Sequence, residues 1–370
     1  MNRAHRISNT LSGALTAVFF ASGALAEEPW DRDAAARYLD GRAAEWTTFS
    51  RERQKLTTSC ISCHTAMPYL RARPALADSS LPEPARGLFS DVTTRVISWN
   101  DAKVWYDESR GAEKPEQSRD TESVINALVL TLRDKRANGS LSDGAETALR
   151  HMWTRQNEDG GWSWLHFGLG PWETDGSDYW GASLAAVAGM SAGDEARPPA
   201  EASSKLRAYL RRGLSQSLSI HNRLSLLWAA SAWDGLLSDD ETNRLVDEVL
   251  QHQRPDGGFR LVDLGPWPSK DGTPPREESD GYATAFTAFV LQQLENPRCA
   301  APISRAVSWL RQNQKADGRW ETLSPNKDRS RESSMTRLLA SDAATAFALL
   351  ALSAPTSSET ELDLPRQGQI

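Results

Sequence analysis

Residues 60–64 read Cys-Ile-Ser-Cys-His. Two thiols two residues apart, with an imidazole directly after the second, put three ligand-type groups into one turn of chain. Such a set supports a dithiol redox pair, half of a zinc site, or the attachment of a c-type haem. In the last case both thiols become thioethers on the porphyrin edge, and the histidine binds iron from one face. A zinc site needs more ligands, yet the chain has only one further cysteine, Cys299. A thioredoxin-like pair belongs to a strand–helix setting that this sequence lacks. The expectation is therefore one covalent haem c, anchored by Cys60 and Cys63, with His64 as proximal ligand.

A second axial ligand would have to come from elsewhere. Met67 lies three residues after His64, on the same side of such a haem. His166, His221 and Met335 are the candidates for the opposite face, with His151 and His252 weaker because they fall on outward-facing helices. Methionine ligation would favour electron transfer, while an open position would allow substrate chemistry.

The first residues give an address. Arg3 and Arg6 precede an apolar run from Leu11 to Leu25, and Ala24-Leu25-Ala26 is a small-x-small cleavage signal. Residues 1–26 are expected to be a secretory signal peptide, which places the chain in the periplasm or outside the cell. No stable membrane span is expected after cleavage. The formal charge of −7 becomes −9 once Arg3 and Arg6 are removed. An acidic chain of this kind excludes nucleic acid as a natural partner and suits basic or neutral ones. Cys299, left without a partner, is expected to be a partly buried small residue.

These residues need a scaffold, and internal repeats say what it is. Three polar helical stretches end in similar turns: Gln156 to Trp162 around Asp159-Gly160-Gly161, Gln253 to Phe259 around Asp256-Gly257-Gly258, and Gln312 to Trp320 around Asp317-Gly318. Glycine ends each helix, and the aromatic is expected to fold back onto it. Between these turns run apolar, alanine-rich helices, several opened by an aspartate: Asp120, Asp178, Asp280 and Asp342. The segment opened by Asn222 lacks that cap. Leu169-Gly170-Pro171-Trp172 is echoed by Leu264-Gly265-Pro266-Trp267. Alternating polar and apolar helices suit a ring of helix pairs, the outer ones wet on one face and the inner ones buried all round. About ten to twelve helices fit the length at ordinary helix and loop sizes. The expected boundaries are 27–117 for N-terminal helices with the haem segment, 118–355 for the toroid repeats and 356–370 for a flexible tail.

The Gln…Asp-Gly-Gly-Trp turns resemble the QW repeats of squalene–hopene cyclases and the related prenyltransferase α/α toroids, over roughly residues 120 to 353. Together with Cys-x-x-Cys-His, the pattern resembles bacterial cytochrome-like proteins with squalene-cyclase-type repeats. The resemblance implies an all-α fold, an α/α toroid with an apolar, aromatic-lined central cavity. The acidic Asp-x-Asp-Asp motif with which the cyclases protonate an alkene is absent, its nearest piece being Asp175-Gly176-Ser177-Asp178. The zinc ligands of the prenyltransferases have no counterpart either.

Four aspartates at matching helix starts have two readings. They could form a ring of carboxylates at one rim, with Asp178 or Asp280 as a general acid of raised pKa. They could equally cap helix N-termini. Of the fourteen tryptophans, most are expected to pack, while Trp172 and Trp267 could staple loops or line a cavity mouth. The leading functional expectation is an exported mono-haem c-type cytochrome with a redox role. It would transfer electrons to a partner protein or oxidise or reduce an apolar substrate in the toroid. The alternatives are an isoprenoid lyase or isomerase using Asp178 or Asp280 with a structural haem, and a module that binds a lipid or a protein.

Overall fold

The computed structural model describes residues 30–76, 80–267, 272, 274–326 and 334–354. Its helices, in chain order, are α1 (Arg32–Gln54), α2 (Ala66–Ala72), α3 (Glu83–Ile97), α4 (Lys114–Asn138), α5 (Asp143–Thr154), α6 (Ser177–Ser191) and α7 (Ala200–Arg212). They continue with α8 (Ile220–Ala232), α9 (Asp239–Leu250), the one-turn α10 (Leu261–Leu264), α11 (Gly281–Gln292), α12 (Ala300–Gln312), the one-turn α13 (Ser334–Arg337) and α14 (Leu339–Leu352). The signal-peptide and tail expectations fall on residues 1–26 and 356–370, outside the described residues. No described helix is long and apolar enough to cross a membrane.

Helices α2, α4, α6, α8, α11 and α14 stand side by side in that order, and α14 packs back onto α2. Outside them lie α1, α3, α5, α7, α9 and α12, each against the inner helix that precedes it around the ring. This is a closed α/α toroid, as the repeats predicted. The two helix types follow from composition. In α11 every residue from Gly281 to Leu291 is buried, whereas α9 buries only Leu245, Val246 and Val249. An inner helix meets protein on all sides; an outer helix needs one apolar stripe.

The glutamines of the repeat turns tie neighbouring pairs together. Gln156 Nε2 donates to Gly160 O in its own turn and to Ala202 O in the first turn of α7, both at 3.0 Å. Gln253 Nε2 does the same to Gly257 O and Pro302 O at 2.9 Å. Gln314 Nε2 bonds Gly318 O at 3.0 Å and Asp31 O at 2.9 Å. The third link thus reaches the start of α1, so the repeat geometry closes the ring onto the N-terminal helix. The glycine in each turn is required twice over. Gly318 has φ +91°, and a Cβ there would lie 2.2 Å from the carbonyl carbon of Ala34. The aromatics fold back as expected: Trp162 Nε1 donates to Met152 O at 2.9 Å and Trp320 Nε1 to Leu310 O at 2.8 Å.

The middle of the toroid differs from what the resemblance implied. Trp180, Trp228, Tyr282, Phe286 and Phe347, from α6, α8, α11 and α14, are each 3% exposed or less. Their rings touch across the ring of helices, with Trp180 on Phe286 at 5.6 Å and Trp228 on Phe347 at 6.4 Å. Aromatic side chains fill the space where a central cavity was expected, because α6, α8, α11 and α14 each project a large ring inward over small Ala and Gly neighbours.

Candidate functional site

A cavity among the described residues lies off-centre. With a volume of about 290 Å³, it opens between α1 and the loops that precede the inner helices. Trp46, Phe49, Tyr106, Phe167 and Trp172 give it aromatic walls; Arg53, Gln54, Arg110 and Glu173 supply charge and amide groups; His64 and Asn326 complete it. Its volume is near the lower end of ordinary ligand pockets.

Each wall has a local cause. Trp46 and Phe49 are one turn apart on α1, and Trp46 Nε1 is fixed by Cys60 O at 2.7 Å. The Trp46 ring stands edge-on to the His64 ring, 4.9 Å between centroids and 89° between planes. Trp172 also lies near the imidazole, 6.2 Å between centroids, its Nε1 donating to the Tyr282 hydroxyl at 3.0 Å. Asn326 Nδ2 holds the Gly170 carbonyl at 2.5 Å. Of the two Gly-Pro-Trp loops, only the first reaches this cavity. Trp267 packs instead on Gly170, where a Cβ would lie 2.2 Å from its ring.

The motif segment is anchored from three sides. Ser59 N donates to Asp91 Oδ2 at 2.8 Å, Thr58 Oγ1 accepts from Arg95, and Ser62 Oγ accepts from Ala66 N at 3.2 Å as α2 begins. Cys60 and Cys63 are 3% and 2% exposed. Burial pushes both thiols upward, with Glu173 adding to the shift, so both are protonated at neutral pH. The Cys60 sulfur accepts from the side-chain amide of Gln54, which itself lines the cavity. The Cys60 thiol thus lies behind the Gln54 wall of the cavity, while His64 lines it.

The other predicted residues are placed elsewhere. His166 is paired with Asp175 at 2.6 Å on the exterior. His221 is buried among the central aromatics, its Nε2 3.0 Å from the Tyr282 hydroxyl, and burial pulls its pKa down to about 3. The Met335 sulfur faces Arg42 Nη1 at 3.5 Å. None of the three lines the cavity with His64, and among the described residues its lining holds no second histidine and no methionine. No three His, Cys, Asp or Glu side chains of the described residues are grouped so as to hold a metal ion.

The matching aspartates serve the repeat turns. Asp120 accepts from Ser163 N at 3.2 Å and Arg155 Nε at 2.5 Å. Asp178 accepts from Trp164 N at 3.1 Å. Asp280 caps α11 through Ala283 N at 3.0 Å and also takes Leu261 N at 2.5 Å. Each ties an inner helix to the strip of chain after a turn. Burial raises the pKa of Asp178, and that of Asp280 to about 6. Asp178 and Asp280 do not line the cavity. Sequence reasoning passed over Arg53, Gln54, Tyr106 and Arg110; the signal was the position of Phe49 and Trp46, one and two helical turns before Arg53 and on the same face.

No protein-family model matches the chain, and no curated protein matches it. Among solved structures it is similar to an unsaturated glucuronyl hydrolase specific for heparin, at 10% identity and TM-score 0.51, over 89% of this chain and 98% of that one. A glycosidase aligns at 12% identity and TM-score 0.47, over 87% and 98%. The type II terpene cyclase MstE from Scytonema aligns at 13% identity and TM-score 0.46, over 86% and 97%. The likeness is one of fold.

These findings correct the functional expectation. A mono-haem cytochrome passing electrons, or performing haem-dependent oxidoreduction in the toroid cavity, is not supported: the chain shares its fold with an unsaturated glucuronyl hydrolase, and no three His, Cys, Asp or Glu side chains of the described residues are grouped to hold a metal ion. The candidate second ligands that a six-coordinate electron carrier would use are turned away from His64, and the central cavity for an apolar substrate is filled. The lyase or isomerase alternative loses its placement too, since Asp178 and Asp280 are engaged by turn backbone away from the cavity beside α1.

Proposed function

We propose that the chain is a binding protein for a flat, largely apolar molecule with negative charge at its edge, held in the cavity beside α1. The observation that carries this is the lining itself. Among the described residues five aromatic side chains form the walls, and two guanidinium groups, Arg53 and Arg110, accompany one carboxylate, Glu173. Flat walls favour a flat occupant by stacking and edge-on contact, and a net positive lining favours an anionic rim. His64 supplies an imidazole in the same lining.

A tetrapyrrole tethered through Cys60 and Cys63 belongs to this ligand class and is the cofactor we propose to test first. The residues fit it in part: the imidazole lines the cavity and Cys60 adjoins its wall. When bound, such a group would supply its own ligand-binding centre, with His64 as its contact from one face. The experiment is a titration of the full chain with protoporphyrin IX, followed by tryptophan fluorescence, with pyrene as a flat uncharged comparison. Saturable quenching by protoporphyrin that weakens in the Arg53→Ala, Arg110→Ala double variant supports the reading. Absence of quenching by either molecule, or quenching unchanged in Trp172→Leu, overturns it. Tethering is read separately, from the intact mass of chain made in an exporting host with haem-attachment machinery. An unmodified mass there removes the tether and leaves the binding reading to the titration.

A further inference from the structure

Thr65 follows the Cys-x-x-Cys-His motif and is 2% exposed. Its hydroxyl stands between two groups, with Asp342 Oδ2 at 2.8 Å and His64 Nδ1 at 2.9 Å. Asp342 breaks the pattern of the other inner-helix aspartates. It turns toward the N-terminal pair and accepts from Tyr38 Oη at 2.8 Å, Arg42 Nε at 2.8 Å and Arg42 Nη2 at 3.0 Å. A carboxylate paired to a guanidinium is an acceptor only. Thr65 must therefore give its single proton to Asp342. Its oxygen then offers only lone pairs to His64, so the proton on that contact belongs to Nδ1.

We infer that Asp342, acting through Thr65, holds a proton on His64 Nδ1 and so raises the basicity of Nε2 in a ring that lines the cavity. Thr65 and Asp342 are positioning residues. The hydrogen bond on one ring nitrogen sets the tautomer and raises the basicity of the other. Trp46, edge-on to the same ring, restricts its rotation. The tautomer stands without the ligand proposal; only the statement that Nε2 serves the occupant rests on it.

The test is a long-range proton–nitrogen correlation spectrum of the full chain labelled at histidine nitrogen, with His64→Gln assigning the ring. The Nδ1–H pattern is expected for His64 in the unaltered chain, and an Nε2–H pattern there overturns the inference outright. Thr65→Val is expected to release the ring to the Nε2–H form that free imidazoles prefer, and Thr65→Ser to keep Nδ1–H. An unchanged pattern in Thr65→Val also overturns it. Hemin is the ligand probe: its affinity should fall about tenfold in Thr65→Val and recover in Thr65→Ser. The expected tautomer with no hemin affinity change refutes the role of Nε2 toward the occupant and leaves the relay standing.

Discussion

Replacing Glu122 with leucine isolates the buried ion pair that holds the motif segment. Arg95 on α3 is 2% exposed and Glu122 on α4 is fully buried. The guanidinium meets both carboxylate oxygens, the second at 2.9 Å. Its other N–H groups donate to Thr58 Oγ1 at 3.0 Å and Lys103 O at 2.7 Å. In Glu122→Leu the Arg95 charge stays buried with only neutral oxygens around it. Breaking such a pair from one side costs about 3–5 kcal/mol. Arg119, which reaches the same carboxylate at 3.4 Å, is less buried and adds little. Combining Glu122→Leu with Arg95→Met removes the stranded charge and should restore most of the loss, leaving about 1 kcal/mol for the bonds to Thr58 and Lys103. Urea unfolding followed by tryptophan fluorescence reads both variants. The double variant has a second effect, because Thr58 loses its anchor two residues before Cys60. The Cys60 thiol should then react faster with Ellman's reagent than in the parent chain, although Asp91 still holds Ser59 N. A loss below about 1 kcal/mol in the single variant, or a double variant no more stable than the single one, refutes the reasoning.

Two further perturbations test the repeat machinery. Burial raises the Asp280 carboxyl to about 6 against hydrogen bonds from Ala283, Thr322, Leu261 and Tyr282 that favour its charged form. The folded chain therefore holds this proton more tightly than the unfolded one, and the contribution is full at low pH and lost as pH rises from about 4 to about 6. The stability difference between the parent and Asp280→Asn should shift across that window by at most about 3 kcal/mol; urea midpoints that keep a constant difference from pH 4 to 7 would rule this out. Glycine substitutions separate conformational strain from collision. Gly139 has φ +70° with nothing within 4 Å of a built Cβ, so Gly139→Ala should cost about 1 kcal/mol. Gly318→Ala adds a backbone collision with Ala34 and should cost several times as much in thermal unfolding; equal costs would show that the ring does not close tightly there.

The toroid was legible because its cause is periodic. The spacing from Gln156 to Gly160 recurs from Gln253 to Gly257 and from Gln314 to Gly318, and each spacing makes the same pair of hydrogen bonds. A repeated sequence pattern shows that a local geometry is used again, and local geometry stacks into a ring. The filled centre was hidden because Trp180, Phe286 and Phe347 meet across the ring, and a contact between non-neighbouring repeats leaves no periodic trace. The cavity beside α1 was hidden for a related reason. Its walls come from α1, from the loops around Tyr106 and Phe167, and from the stretch at Asn326, which sequence distance keeps far apart.

Asp342 shows how the two cases connect. By position it belongs with Asp120, Asp178 and Asp280, which serve the strip of chain after a repeat turn. At the sixth pair the strip after the third turn is held by Ser341 and Thr345 instead, which take Thr322 N and Trp320 N at 3.1 Å each, so it is not a partner of Asp342. Its place is taken by Tyr38, Arg42 and Thr65, so the acceptor that elsewhere secures a turn here secures the residue after His64. Ring closure therefore converts a structural aspartate into a partner of the motif. A change at Asp342 should disturb His64 and the junction between α1 and α14 together, whereas the same change at Asp178 should disturb only its own turn.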